Sequence, residues 1–160
     1  MCIRDRYRPV PLVRGRLLES VEIIGEILDA DVFINIPIAK HHGAAEVTLS
    51  MKNLMGINWN RGRFHQYGLQ QCIADLNTAV RPDLIVMDAN RVLLTNGPAG
   101  PGETRDALTV VAGTDPVAMD AYGTTLLDRN PMDVGHIRYA YQQGIGEIDL
   151  EKLTIEKISL

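Results

Sequence analysis

Cysteine is nearly missing from this chain: Cys2 and Cys72 stand far apart in no CxxC arrangement. A zinc ribbon or an iron–sulfur cluster held by this chain alone is therefore excluded, and any such cofactor would come from elsewhere. Positive charge is not in excess either. Sixteen Lys and Arg face twenty Asp and Glu, for a net charge of −4, which argues against a nucleic-acid surface or a polybasic membrane anchor. No apolar run approaches the roughly 20 residues that span a bilayer, and the start lacks the apolar core of a signal peptide. There is no internal repeat, GxGxxG, Walker loop, nucleophile elbow, Ser-His-Asp order, HExxH or EF-hand spacing.

What is present fits one soluble globular domain: 160 residues, 46% of them hydrophobic. The arginine-rich start is the exception. Met1–Arg6 reads as non-native, 1–16 as a non-native or irregular segment, 17–160 as the domain, and the whole as a fragment whose true start lies upstream.

Apolar spacing sets out the elements. Leu17, Val21, Ile24 and Leu28 suggest a helical face, with 21-VEI-23 as an alternative short strand. The run 32-VFINIPI-38 predicts a strand buried on both faces and ended by Pro37. Val47, Met51, Leu54 and Met55 predict a helix stopped at Gly56, with Thr48 and Lys52 sharing another face. After the turn-rich 57–68, Leu69, Cys72, Ile73, Leu76 and Val80 predict a second helix. The strand 84-LIVMDA-89 delivers Asp88 and Asn90 toward the loop 95-TNGPAGPGE-103, and 107-ALTVVAG-113 predicts a third strand. Asp115-Pro116 opens a helix reaching about Asp128, 133–143 reads as another, and 153-LTIEKI-158 as a closing strand. This alternation predicts an α/β fold with a mainly parallel or mixed sheet flanked by helices. In such sheets ligands bind beyond the carboxyl ends of the strands.

Polar residues gather there. Lys40, His41 and His42, with Thr48 and Lys52, would form a phosphate or carboxylate cradle at a helix start, or else a solvated loop. Adjacent histidines in extended chain point opposite ways, so they rarely share a metal, although one could join His65 or His136. The stretch 61-RGRFH-65 offers Arg63 and His65, with a solvated turn as the other reading. Asp115 is explained as a helix cap. Asp120, amid Val117, Met119 and Ala121, must be exposed or held by a buried cation such as Lys40 or Lys52. His136 reads as a surface or packed histidine.

The order of DVFINIPIAKHH, VTLSMKNLMGI, RFHQYG, RPDLIVMDA with NGPAGPG, GTDPVAMDAYG and GIGEIDLEKLTI resembles the DUF362 family across residues 29–158. That resemblance implies a setting more than an activity. Many members append ferredoxin-like four-cysteine clusters that bind 4Fe-4S centres, and others carry a twin-arginine export signal. Its recurrent polar positions fall on Lys40, His42, Lys52, Asn53, His65, Asp88, Gly97, Gly100, Asp115 and Asp120, with K-H-H standing where the family has K-T-H.

The reading that follows is a catalytic or ligand-binding domain for a small anion in a redox or iron–sulfur-linked system. Lys52, His42, His65 and Asp120 are its expected catalytic residues; Lys40, Thr48, Asn53, Arg63, Asp88, Gly97 and Gly100 are its expected binding residues. Two rivals stand beside it: a metal site of His42, His65 and Asp88, and a non-catalytic module docking a ferredoxin-type domain or subunit. A cytoplasmic location is expected, with an exported form for intact chains.

Overall fold

The computed structural model describes residues 3–159. Of the arginine-rich start, Ile3–Arg6 form a 3-10 turn and Tyr7–Pro11 the strand β1, paired antiparallel with β2 (Ser20–Ile24). Leu17–Ala30 is thus strand first and then a short helix, α1 (Gly25–Asp29). The Val21–Ile23 alternative prevails because Val21 and Ile23 turn inward while Glu22 stays at the surface side. The hairpin is fastened to the body by Asp75, whose Oδ2 accepts the N–H groups of Leu17 and Leu18 at 2.7 and 3.0 Å.

The main sheet is built on β6 (Leu84–Leu93). One edge of β6 carries the antiparallel β7 (Thr104–Gly113). The other carries β3 (Ile34–Asn35) beside Leu84–Ile85, then β4 (Ile38–His42) further along, both parallel to β6. These are two halves of one pairing, interrupted at Pro37, which has no N–H to give but whose carbonyl accepts the Asp88 N–H. Antiparallel β5 (Glu46–Thr48) closes that side. The α/β expectation holds, and the sheet is mixed.

Five helices follow in the chain: α2 (Ser50–Asn53), α3 (Gly62–Tyr67), α4 (Leu69–Leu76), α5 (Pro116–Thr125) and α6 (Gly135–Gln142). The core lies between them and the face of β6 bearing Ile85, Met87, Ala89 and Val92, all fully buried. Gly123 is what lets α5 come so near: a Cβ there would stand 2.7 Å from the Met87 sulfur. Gly68, at φ +121°, makes the corner between α3 and α4.

Several sequence expectations fail for physical reasons. The run 32–38 is buried on one face only: Asn35 is inward, while Ile34, Ile36 and Ile38 are exposed, Ile36 at 66%. Leu108 and Val110 of β7 are exposed as well, so the helices cover a single side of the sheet. The helix expected from Val47 begins only at Ser50, because β-branched Val47 and Thr48 pair with β4. RGRFH is not a loop but the start of α3. Asp88 and Asn90 lie within β6 rather than beyond it. Residues 153–158 form no strand; a 3-10 turn at Leu150–Lys152 precedes them, and β6 is the only described partner of β7.

Candidate functional site

The KHH sequence extends β4 and is not a loop. Lys40 stands opposite Thr48 in the β4–β5 pair, and α2 begins two residues after Thr48, carrying Lys52. Burial, with the nearby charges of Lys40 and Arg61, holds the Lys52 ammonium below its ordinary pKa. Among the described residues, no carboxylate oxygen lies within 4.0 Å of either ammonium.

His42 completes this cationic corner. Its Nδ1 accepts the N–H groups of Ala44 and Ala45 at 3.1 and 3.0 Å, so the neutral ring carries its proton on Nε2. Burial, then Lys52, His65, His41 and Lys40, lower its pKa to about 4. At pH 7 His42 is therefore an uncharged N–H donor. His41 turns to other work, its Nδ1 accepting the Gly97 N–H at 3.0 Å.

Behind the corner lies Asp120, fully buried. Neither lysine holds it. Oδ1 accepts the N–H of Ser50 at 2.7 Å and the Ser50 hydroxyl, and Oδ2 accepts the Met51 N–H at 3.1 Å. The first N–H groups of α2 are thereby occupied by a carboxyl of the protein itself. Burial outweighs these donors and pushes Asp120 up to about 7.

His136 of α6 faces it. Gln70 Oε1 accepts both the His136 backbone N–H at 2.8 Å and, at 2.7 Å, the ring Nδ1–H. An oxygen already receiving a backbone N–H fixes the amide orientation, and with it the tautomer: Nδ1 is protonated and Nε2 is bare. Nε2 lies 3.9 Å from Asp120 Oδ2 with no hydrogen-bond partner. Burial, with Lys52 and His42, lowers the His136 pKa to about 3, so the contact joins two groups and not two charges. Thr48 Oγ1 is likewise buried and unpartnered. Sequence reasoning passed over Ser50 and Gln70, whereas His136, read as a surface or packed histidine, is packed: it is fully buried on α6.

The remaining expected residues divide. His65 is exposed on α3 but close enough for its charge to reach His42. Arg63 lies over the Tyr67 ring, 5.3 Å from its centroid. Asn53 donates to Asn35 Oδ1 at 2.7 Å, and Asn35 donates to the Ser50 carbonyl at 2.9 Å, so Asn53 braces α2 against β3. Asp88 points to the outer sheet face, in register with Ile38 and Val110, and caps its own chain by accepting the Asn90 N–H. Gly97 packs on the β4–β5 turn, its carbonyl accepting the Gly43 N–H; Gly100 adopts φ +70° within that loop. Asp115 caps α5, accepting from Val117 and Ala118. The metal grouping of His42, His65 and Asp88 is not brought together, and no three His, Cys, Asp or Glu side chains gather to hold a metal among the described residues.

A cavity of about 650 Å³ lies elsewhere, between β7 and the C-terminal segment, walled by Val111, Met119, Tyr122, Leu153 and Ile155. Its lining includes none of the lysines or histidines of the cationic corner. No helix of the described residues is long and apolar enough to cross a membrane.

The chain is 29% identical over 119 residues to the thylakoid-associated protein sll1697 of Synechocystis sp., an alignment covering 68% of this chain and 36% of that protein. The chain thus spans little more than a third of the curated relative it matches. No solved structure matches it. The profile of DUF362, described as a domain of unknown function, matches residues 2–125, which hold β1 through α5 and include Lys40, His42, Lys52 and Asp120 but not His136. The chain belongs to the DUF362 family.

Proposed function

We propose that this domain binds a small anionic ligand at the corner formed by Lys40, His42 and Lys52. The observation that carries the reading is the pair of partly buried lysines with no carboxylate partner among the described residues. Positive charge held in one place, flanked by the neutral N–H of His42 and with Arg61 and His65 at its edge, creates a potential that a carboxylate or phosphate satisfies. Catalysis is the further part of the proposal. Asp120, raised to about 7, is the group that gives or takes a proton behind the anion, and the bare nitrogen of His136 accepts a hydrogen bond beside it. The redox or iron–sulfur setting implied by the family resemblance would supply the reaction partner, in the cytoplasm or, for intact exported chains, beyond it.

Calorimetric titration with inorganic phosphate and with malonate tests the reading. Wild type should bind at least one of them with an affinity that falls as salt rises. Lys52→Ala should weaken that binding about tenfold or more, equal to roughly 1.4 kcal/mol, with an unchanged thermal midpoint. Equal binding by the variant would end the proposal.

A docking role is the second reading, favoured by the exposed Ile34, Ile36, Ile38, Leu108 and Val110 on the uncovered sheet face. Pull-down of a ferredoxin-type subunit by wild type, lost in Ile36→Lys but retained in Lys52→Ala, would establish it in place of the first.

A further inference from the structure

We propose that the anion site selects for an oxyanion that still carries a proton, a hydrogen phosphate group, by offering its hydroxyl the unpartnered Nε2 of His136. This rests on the anion-binding reading above and narrows the ligand. Three observations support it.

The first is the orphaned atom. His136 is wholly buried and its Nδ1–H is committed to Gln70, so the only unused function of the ring is an acceptor at Nε2. A buried polar atom without a partner is costly and is rarely left so, because its lost hydration is not repaid. A carboxylate or a fully ionised sulfate brings acceptors only and would meet Nε2 lone pair to lone pair. A P–O–H brings the donor that Nε2 lacks.

The second is the geometry beside it. Nε2 and Asp120 Oδ2 are 3.9 Å apart, so an oxygen about 2.8 Å from each would see them at about 90°, an angle that one hydroxyl accommodates. Oδ2 receives only the Met51 N–H, whereas Oδ1 takes both Ser50 donors, so Oδ2 retains a free position. With Asp120 protonated, its O–H donates to the bridging oxygen and that oxygen's own proton goes to Nε2. Each group is then satisfied, and burial holds Asp120 near neutrality, where this state is populated.

The third is the surrounding charge. Lys52 and His42 lie close enough to His136 for their charges to depress its basicity, which sets the buried acceptor beside the cationic corner. The remaining anionic oxygens of the same group would meet Lys52, Lys40 and the Nε2–H of His42. Thr48, opposite Lys40 and with its hydroxyl unpartnered, adds a donor on the strand side.

The test compares inorganic phosphate with sulfate at pH 7, where hydrogen phosphate keeps a proton and sulfate has none. Wild type should bind phosphate about tenfold or more tightly than sulfate. The ¹⁵N resonance of His136 Nε2 should move toward hydrogen-bonded values with phosphate and stay still with sulfate. His136→Asn, whose amide can still donate to Gln70 while lacking an atom at the Nε2 position, should bind the two anions alike. The resonance needs no variant, so an unstable variant leaves the test intact. Phosphate and sulfate binding equally to wild type with Nε2 unmoved would overturn the inference and leave the anion site standing. Binding of none of phosphate, sulfate and malonate would overturn both. Water alone at Nε2, seen as a bonded resonance before any anion is added and unchanged by phosphate, would also overturn it.

Discussion

Asp120 and Ser50, seventy positions apart in the chain, are joined twice: the backbone N–H and the hydroxyl of Ser50 both donate to Oδ1. With Met51 this ties the start of α2, and so Lys52, to the middle of α5. Because all these atoms are buried, removing the acceptor strands three donors. Asp120→Ala should therefore cost about 3 kcal/mol or more, whereas Ser50→Ala, which deletes one donor and leaves the carboxyl two, should cost about 1 kcal/mol. Denaturant unfolding of both variants checks the order; equal losses would mean that the Ser50 hydroxyl carries the connection alone.

Acid should reveal two opposed titrations. The folded pKa values of His42 and His136, about 4 and about 3, lie below the usual 6.5, so the stability they carry is whole above pH 6.5 and is lost as the pH falls toward those values. Asp120, raised to about 7, acts the other way: its share is whole below the usual 3.8 and is lost as the pH rises through 7. Asp120→Asn removes the compensating group. Its thermal midpoint should fall more steeply than that of wild type between pH 6.5 and 4, and parallel curves would contradict the assignment.

Gly97→Ala should disturb the site from outside it. A Cβ there would stand 1.9 Å from the His41 carbonyl oxygen, forcing the 95–103 loop off the β4–β5 turn. A loss of about 1–3 kcal/mol is expected, with weaker phosphate binding by calorimetry. Gly43→Ala is the control, since the nearest atom to its Cβ would be 3.9 Å away.

The uncovered face of the sheet should behave as sticky surface. Ile36→Thr removes apolar area that packs against nothing on that side, so the melting point should hold within about 1 °C while binding of a hydrophobic dye falls. A drop of several degrees would show that Ile36 contributes to the core.

Much of the fold was legible because it is local. Asp115-Pro116 carries its own instruction: the side chain accepts the Val117 and Ala118 N–H groups, and the proline needs no partner. The strands 84–89 and 107–113 were found, and only their lengths were underestimated. Of the candidate site the sequence showed the proximity of Lys40, His42 and Lys52, although they lie on a strand pair and a short helix instead of a loop and a long one. Asp120 stood out as a charge amid apolar neighbours, but its holders are N–H groups and a hydroxyl, which no pattern of charged residues can reveal. His136 was read as surface or packed and is packed, but its hydrogen bond was hidden because it depends on Gln70, sixty-six positions earlier. The outer face was misread since an isoleucine-rich run looks the same whether one side or both are covered.

The interruption at Pro37 has a further consequence. Ile34 is matched to Leu84 and Ile38 to Asp88, so each strand advances four residues between the two points, and the link through Ile36 and Pro37 acts as a spacer of fixed count. Deleting one residue there would alter none of the corner's side chains, yet it would send Ala39 outward and turn Lys40 toward the core. The position of Lys40 is thus set by a length as much as by its identity, and a shortened linker would take its ammonium away from Lys52 while both residues survived.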